Sequence, residues 1–118
     1  MKNFTENVEE MRNFIASLRC IANGDEVEDV AGGLDKALKL NWKSNNKVAV
    51  LICDWPTHGT KYHTGHYDRY PKGNPDGHIL ENQMKEFSSR RINFTIIKYT
   101  DYVKKMIKVM QENYDTKD

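Results

Sequence analysis

The stretch Lys47-Val-Ala-Val-Leu-Ile-Cys-Asp-Trp-Pro-Thr-His-Gly59 decides the fold of this 118-residue chain. Residues 48–53 form an unbroken apolar run, which is typical of a strand buried on both faces in a parallel sheet covered by helices. The run ends at Asp54, after which Pro56 and Gly59 predict a loop. A carboxylate at the carboxyl end of such a strand lies where open α/β sheets bind ligands.

Two amphipathic segments precede this strand. Apolar residues recur at helical spacing over residues 8–18, which predicts a helix over about residues 5–20 with Thr5 as its N-cap. The sequence Asn23-Gly24-Asp25 ends this helix. Asp25-x-x-Glu28 then resembles a capping box and predicts the start of a second helix.

The second predicted helix contains two adjacent glycines. Gly32 and Gly33 each cost about 1 kcal/mol relative to alanine inside a helix. This cost is explained if the helix packs closely against a strand, so we expect the glycine pair to lie near one face of the sheet.

The region after residue 75 is predicted to contain a helix, a strand and a final helix. Asp76 is the predicted cap of a third helix, and Ile92–Lys98 is rich in β-branched residues and predicts a second strand. Thr100 is the predicted cap of a final helix, and the tail 115–118 is expected to be frayed. The resulting order α-α-β-α-β-α predicts an α/β fold with parallel strands.

The number of strands is small for the number of helices. Two strands cannot cover four helices with apolar stripes, so we expect residues 1–118 to form a single α/β domain that lacks strands at its N-terminal side. The free edge of residues 48–54 would then expose unpaired backbone groups, which favours self-association.

A long segment without periodicity follows the first strand. Residues 55–75 contain Tyr62, Tyr67 and Tyr70, whereas disordered segments are poor in aromatic residues. Loops of this length in compact domains are usually functional or disordered. We therefore interpret residues 55–75 as an ordered loop on the rim of the sheet.

Charge and composition exclude several classes of partner. The chain has 18 basic and 17 acidic residues, which gives no bias towards nucleic acid or a membrane surface. No apolar segment approaches the roughly 20 residues of a membrane span. The N-terminus has no hydrophobic signal region, and we expect a cytoplasmic protein in which Cys53 is a buried, reduced thiol.

A specific set of motifs extends over most of the chain. It comprises residues 24–34 (Gly-Asp-x-x-Glu-Asp-Val-Ala-Gly-Gly-Leu), 52–59 (Ile-Cys-Asp-x-Pro-x-His-Gly), 62–63 (Tyr-His) and 68–75 (Asp-x-Tyr-Pro-x-Gly-x-Pro). This set resembles the von Willebrand factor A-like domains of protist and fungal proteins, including those joined to alpha-type protein kinases. The similarity covers residues 4–114 and corresponds to the back two-thirds of such a domain.

The resemblance implies a Rossmann-like, doubly wound parallel sheet whose upper rim holds a divalent ion. In the family, an Asp-x-Ser-x-Ser motif, a Thr from a middle loop and a later Asp bind the ion. Asp54 matches the later Asp, Glu26 stands at or near the Thr position, and Trp55 replaces a small residue. The serine motif is absent from the chain. Even with help from Asp25, we expect only weak binding of magnesium or manganese at this degenerate site.

The loop histidines are an alternative metal site. His58, His63 and His66, with Asp68 nearby, could ligate zinc in a metal-binding or hydrolytic domain. Their spacing matches no familiar zinc pattern and no cysteine pair supports them, so zinc is not the expected ion. Histidines in loops more commonly form hydrogen bonds to the backbone.

The sequence contains no motif that indicates catalysis. It has no nucleophile elbow, phosphate-binding glycine loop or set of kinase motifs, so an associated alpha-type kinase domain would lie elsewhere. We therefore expect a non-catalytic protein-interaction module with an unidentified protein partner. The expected contact surface comprises Trp55, His58, Tyr62, His63, Asp68 and Tyr70.

Overall fold

The computed structural model of the protein describes residues 1–21 and 24–114. Residues 22–23, next to the predicted end of the first helix, and the tail 115–118 lie outside the described residues. The elements are α1 (Val8–Ser17), α2 (Val30–Leu38), β1 (Lys47–Cys53), a 3-10 turn (Thr60–Tyr62), α3 (Leu80–Ser89), β2 (Ile92–Lys98), a second 3-10 turn (Asp101–Val103) and α4 (Lys104–Tyr114).

The two strands pair in parallel, which confirms the prediction from the β-α-β order. Lys47 lies opposite Ile92, and the register continues to Cys53 opposite Lys98. Helix α3 lies between the strands in the chain. Because the strands are parallel, their carboxyl ends lie at the same edge of the sheet. The long loop after β1 and the segment after β2 therefore leave the sheet side by side.

The burial of β1 differs from the prediction. Val48, Val50 and Ile52 are 58%, 53% and 62% exposed, whereas Ala49 and Leu51 pack against the core. The prediction that the strand is buried on both faces is therefore wrong for the described residues. Polar and apolar residues do not alternate in β1 because both faces of the strand are apolar. Helices cover only one of these faces.

The covered face of the sheet packs against α2, α3 and α4. Ala49 and Leu51 from β1 and Phe94 and Ile96 from β2 contact the core from this face. Phe87 of α3 meets Phe94 edge to face, with 5.0 Å between the ring centroids. The buried apolar residues of the core are Val30, Leu34, Leu38, Cys53, Tyr62, Leu80, Met84, Phe87, Ile92, Val103, Met106 and Met110.

The first two helices begin later than predicted. Asn7, not Thr5, is the N-cap of α1, because its side chain accepts a hydrogen bond from the Glu10 N–H. Asp29, not Asp25, is the N-cap of α2, because its side chain accepts a hydrogen bond from the Gly32 N–H. The predicted capping box was wrong, since its aspartate takes part in tertiary contacts instead.

The predicted caps of the last two helices also differ from the observed ones. Helix α3 begins after Ile79, which provides no side-chain cap, so Asp76 does not cap it. Thr100 precedes the second 3-10 turn, and α4 follows this turn. The Thr100 hydroxyl donates a hydrogen bond to the carbonyl oxygen of Asp54. This bond joins the segment after β2 to the end of β1.

The two glycines of α2 have different surroundings. A Cβ atom on Gly32 would lie 2.1 Å from Asp29 Oδ2, whereas one on Gly33 would meet no heavy atom within 4 Å. Gly33 instead lines a groove of about 590 Å³ between α2 and β1. Gly33 therefore lies on the side of α2 that faces the sheet, as expected, but it does not pack closely against the strand.

Helix α1 contributes no residue to the core. It has no buried residue, and Val8 and Ile15 are more than half exposed. The segment before α1 contacts the stretch after α2: Phe4 meets Trp42 edge to face at 4.8 Å between centroids, and the Asn41 N–H donates to Asn3 Oδ1 at 3.3 Å. Within residues 1–21 and 24–114, no helix is both long and apolar enough to cross a membrane.

Candidate functional site

The stretch before α2 lies against the long loop that follows β1. The Glu28 N–H donates to the Pro56 carbonyl at 2.9 Å, and the Glu26 N–H donates to the Tyr67 carbonyl at 3.3 Å. These backbone bonds bring the acidic residues before α2 next to the histidines and acidic residue of the loop. Residues far apart in the sequence therefore meet at the carboxyl end of β1.

Thr57 connects this loop to the start of α2. Its side chain is fully buried, and its hydroxyl oxygen accepts a hydrogen bond from the Ala31 N–H at 3.2 Å. The Asn74 side-chain amide donates to Asp29 Oδ1 at 2.6 Å. The loop thus satisfies backbone and capping groups of the first turn of α2, which otherwise lack partners within the helix.

Asp68 is the centre of the hydrogen bonds within the loop. Its Oδ1 lies 2.7 Å from His58 Nδ1, and its Oδ2 lies 2.9 Å from His63 Nε2. The Gly59 and Tyr70 N–H groups donate to the same carboxylate at 2.7 and 2.8 Å. Burial alone would raise the pKa of Asp68, but the bonds from the two imidazoles and two amides lower it to about 2.

These contacts correct the expectation for the loop histidines. His58 and His63 are buried and bind a carboxylate rather than the backbone. The Nδ1 atom of His63 is buried and has no hydrogen-bond partner among the described residues. Its Nε2 atom is the one that contacts Asp68, so His63 orients this carboxylate.

Asp25, His58 and Asp68 form a group that could hold a metal ion. One ligand atom from each side chain lies within 4.8 Å of the other two. His58 Nδ1 is 2.7 Å from Asp68 Oδ1 and 3.7 Å from Asp25 Oδ2. The side chains of all three residues are less than a tenth exposed. Periodicity and spacing did not reveal this group, because Asp25 reaches it only through tertiary contacts.

A cavity adjoins this group. It has a volume of about 270 Å³ and is lined by Asp25, Asp29, His58, Arg69, Tyr70 and Pro75. Asp25 and His58 belong to both the cavity wall and the metal-binding group. The cavity therefore provides space for water or a small ligand beside the group.

Asp54 and Glu26, which the resemblance implied as ligands, lie outside this group. Asp54 is exposed, and its described hydrogen bond uses its backbone carbonyl. The Glu26 carboxylate accepts from the Tyr67 N–H at 3.1 Å and lies 3.2 Å from His66 Nδ1. Of the implied ligands, the described group of three contains only Asp25.

An aromatic cluster lies beside the carboxyl end of β1. Trp55 stacks on Tyr102, with 4.8 Å between centroids and 15° between the ring planes. His66 contacts both rings edge to face, at 5.2 Å from Trp55 and 4.9 Å from Tyr102. Tyr102 is half exposed. No motif in the sequence indicated a role for it, because it lies in the segment predicted as the final helix.

Tyr62 belongs to a separate polar contact at the other side of the loop. Its hydroxyl donates to Glu81 Oε2 at 2.6 Å, and Lys61 forms an ion pair with the same carboxylate. Burial, followed by the hydrogen bond to Glu81, raises the pKa of Tyr62 well above its ordinary value. Burial alone would raise the pKa of Glu81, but Lys61 and Tyr62 together lower it.

The six residues of the expected contact surface divide into two groups. His58, Tyr62, His63 and Asp68 have buried side chains, whereas Tyr70 is 40% exposed and Trp55 is partly exposed. His58 and Tyr70 are in contact, with 5.0 Å between ring centroids. The buried members support the loop from within, and only Trp55 and Tyr70 are available to a partner protein.

Comparison with known proteins identifies a relationship to part of a kinase protein. The alpha-protein kinase vwkA of Dictyostelium discoideum is 35% identical to this chain over 92 residues. The match covers 77% of this chain but 15% of the kinase. No known protein family matches the chain in a scan of family profiles. No solved structure matches it.

Proposed function

We propose that this chain is a non-catalytic protein-interaction module of von Willebrand A-like type within, or derived from, an alpha-kinase protein. The observation that carries the proposal is the 35% identity to part of an alpha-protein kinase. The match covers a small share of the kinase, which is consistent with an accessory module. Catalysis by the related protein is not transferred to these residues.

The architecture supports a relationship to a doubly wound sheet. The strands are parallel, and the loop and rim contacts lie at their carboxyl ends, where such sheets bind ligands. The second face of the sheet is apolar and exposed at Val48, Val50 and Ile52. In a doubly wound fold, further elements cover this face.

The proposed contact surface is the exposed aromatic part of the rim. Trp55 and Tyr70 belong to the surface expected from the sequence, and Tyr102 extends it. Aromatic side chains bury a large area on binding, and tryptophan and tyrosine are enriched among residues that dominate binding energies. Residues 55–75 would act as the rim loop that presents this surface.

The family's divalent ion does not fit the residues at its expected position. Magnesium needs nearly octahedral oxygen coordination, but Asp54 is exposed and the Glu26 carboxylate already accepts hydrogen bonds. We therefore derive no role for magnesium or manganese at these residues beyond weak binding. We also propose that the protein is cytoplasmic.

An affinity experiment tests the interaction surface. The immobilised wild-type chain is exposed to an extract of the cells that make it, in parallel with the double variant Trp55→Ala/Tyr70→Ala. Phe4→Ala is the matched control, because Phe4 is an exposed aromatic residue near the amino end of β1. A candidate partner is then purified and its direct binding measured by calorimetry.

We expect the wild type and the Phe4→Ala variant to bind the purified partner, and the double rim variant to lose at least tenfold in affinity. Equal binding by all three chains would show that the rim is not the contact surface. Phosphate transfer from ATP to a protein substrate by this chain alone would contradict the non-catalytic assignment.

A further inference from the structure

We propose that Asp25, His58 and Asp68 bind one zinc ion, with an open coordination position that faces the adjoining cavity. This site is separate from Asp54 and Glu26, and it does not depend on the proposed interaction module. It also differs from the histidine set of the loop, because its third ligand comes from the stretch before α2.

The distances suit one small divalent ion after a local adjustment. Zinc bound at about 2.0–2.2 Å by nitrogen and oxygen ligands in a tetrahedron places neighbouring ligand atoms about 3.3–3.5 Å apart. His58 Nδ1 lies 3.7 Å from Asp25 Oδ2 and 2.7 Å from Asp68 Oδ1. To enter this range, the His58 Nδ1–Asp68 Oδ1 distance must lengthen by about 0.6 Å and the His58 Nδ1–Asp25 Oδ2 distance must shorten by about 0.2 Å.

The chemistry of the ligands favours zinc over magnesium. One imidazole nitrogen and two carboxylate oxygens are ligands that zinc accepts, whereas magnesium is bound by oxygen and retains several waters. Two carboxylates also balance the charge of a divalent ion in this largely buried position. The expectation against zinc concerned the spacing of His58, His63 and His66 and the lack of a cysteine pair. The proposed site has a different ligand set, in which Asp25 and Asp68 join His58.

The surroundings hold the two carboxylates in place. The Gly59 N–H and His63 Nε2 contact Asp68 Oδ2, and the Tyr70 N–H donates to Asp68 Oδ1, the oxygen that also contacts His58. The Arg69 N–H donates to Asp25 Oδ2 at 3.2 Å. Ligating carboxylates in metal sites are commonly oriented by hydrogen bonds of this kind.

Zinc binding requires one particular protonation state of His58. A neutral His58 binds zinc through Nδ1 only if its proton is carried on Nε2. Zinc bound at Nδ1 displaces to water the proton that this atom shares with Asp68, and the bound imidazole carries its single proton on Nε2. The ion replaces the His58–Asp68 hydrogen bond with two metal–ligand bonds, and no oxidation or reduction occurs.

The open position distinguishes this site from a closed structural zinc site. Three protein ligands leave one tetrahedral position, and Asp25 and His58 both line the cavity of about 270 Å³. Water or a small anionic ligand would occupy this position. The ion would also join the stretch before α2 to two points of the loop after β1.

Metal titration of the chelator-treated full chain tests the proposal. Zinc is added in a calorimeter, and cobalt is added separately while visible absorption is recorded. We expect one zinc per chain, a raised melting temperature, and the stronger cobalt absorption of a four-coordinate site. Millimolar magnesium should leave the melting curve unchanged.

Two ligand variants and one control variant locate the site. Asp25→Asn retains an oxygen that can accept the Arg69 N–H but loses the negative charge, and His58→Asn removes the imidazole. Each should weaken zinc binding at least tenfold. His66→Gln is the control, because His66 contacts Glu26 and lies outside the group. Its zinc affinity should equal that of the wild type.

Two results would overturn the proposal. One is the failure of the wild-type chain to bind zinc or to give the cobalt absorption. This measurement does not depend on the folding of any variant. The other is loss of zinc binding in His66→Gln together with its retention in Asp25→Asn, which would assign the ion to the loop histidines. Because no partner protein is present, failure here leaves the interaction proposal intact.

Discussion

The hydroxyl oxygen of Thr57 accepts a hydrogen bond from the backbone N–H of Ala31 at 3.2 Å. Thr57 follows β1 and Ala31 lies in the first turn of α2, so the bond joins the loop to the helix that covers the sheet. Both residues are buried at 2% exposure or less. The position of the loop, and hence of His58, depends on this contact.

Replacing Thr57 by valine should destabilise the protein. The variant keeps the shape of the side chain but leaves the Ala31 N–H without this partner, at a cost of about 1–3 kcal/mol. Urea unfolding of the two proteins measures the difference. Thr57→Ser retains the hydroxyl and should recover part of the loss. Equal stability of the valine variant and the wild type would show that the bond contributes little.

The two adjacent glycines of α2 should respond differently to alanine. Gly33→Ala should raise the free energy of unfolding by about 0.5–1 kcal/mol, because the new methyl group meets open space and alanine favours the helix. Gly32→Ala should be less stable than Gly33→Ala by about 1 kcal/mol or more, because its Cβ displaces the Asp29 cap. Thermal melts compare the two variants directly, and the opposite order would contradict the geometry of the cap.

Tyr62 should make the protein less stable at alkaline pH. Its pKa in the folded protein is raised above the ordinary value, so the unfolded chain loses this proton first. The contribution of Tyr62 to stability is therefore fully present below about pH 10, the ordinary tyrosine pKa, and is lost as pH rises above it.

The matched variant for this effect is Tyr62→Phe. Between about pH 9.5 and about pH 11, the free energy of unfolding of the wild type should fall by roughly 1 kcal/mol more than that of Tyr62→Phe. The remaining tyrosines are present in both proteins, so the difference between the two pH profiles reports Tyr62. Parallel pH profiles would show that its proton is not held more tightly in the folded state.

The uncovered face and edge of β1 should cause self-association. Val50 and Ile52 are more than half exposed on a strand with one unpaired edge in the described sheet. The sedimentation coefficient of the wild type should therefore rise with concentration. The double variant Val50→Thr/Ile52→Thr keeps β-branched residues but reduces the apolar surface, and its sedimentation should not depend on concentration.

A second pair of substitutions provides the control for self-association. Val8→Thr/Ile15→Thr alters the exposed apolar residues of α1 and should leave the association of the wild type unchanged. Sedimentation of the wild type as a monomer at every concentration would contradict the prediction. Loss of association only in the α1 variant would show that α1, and not β1, forms the contact between copies of the chain.

The sequence by itself determined the order of elements and the parallel pairing of the strands. Helical periodicity and β-branched runs are properties of short segments, and the β-α-β order favours parallel strands. The same local logic placed Asp54 after β1 and identified residues 55–75 as the segment that carries the histidines.

Only the tertiary structure decided which face of β1 is covered and where α2 begins. Val50 and Leu51 are both apolar, and helices pack only on the side of Leu51. Asp25 and Asp29 are both suitable N-caps, and the choice between them follows from the backbone bonds to the loop. Asp25 meets His58 and Asp68 for the same reason, because packing between distant segments brings them together.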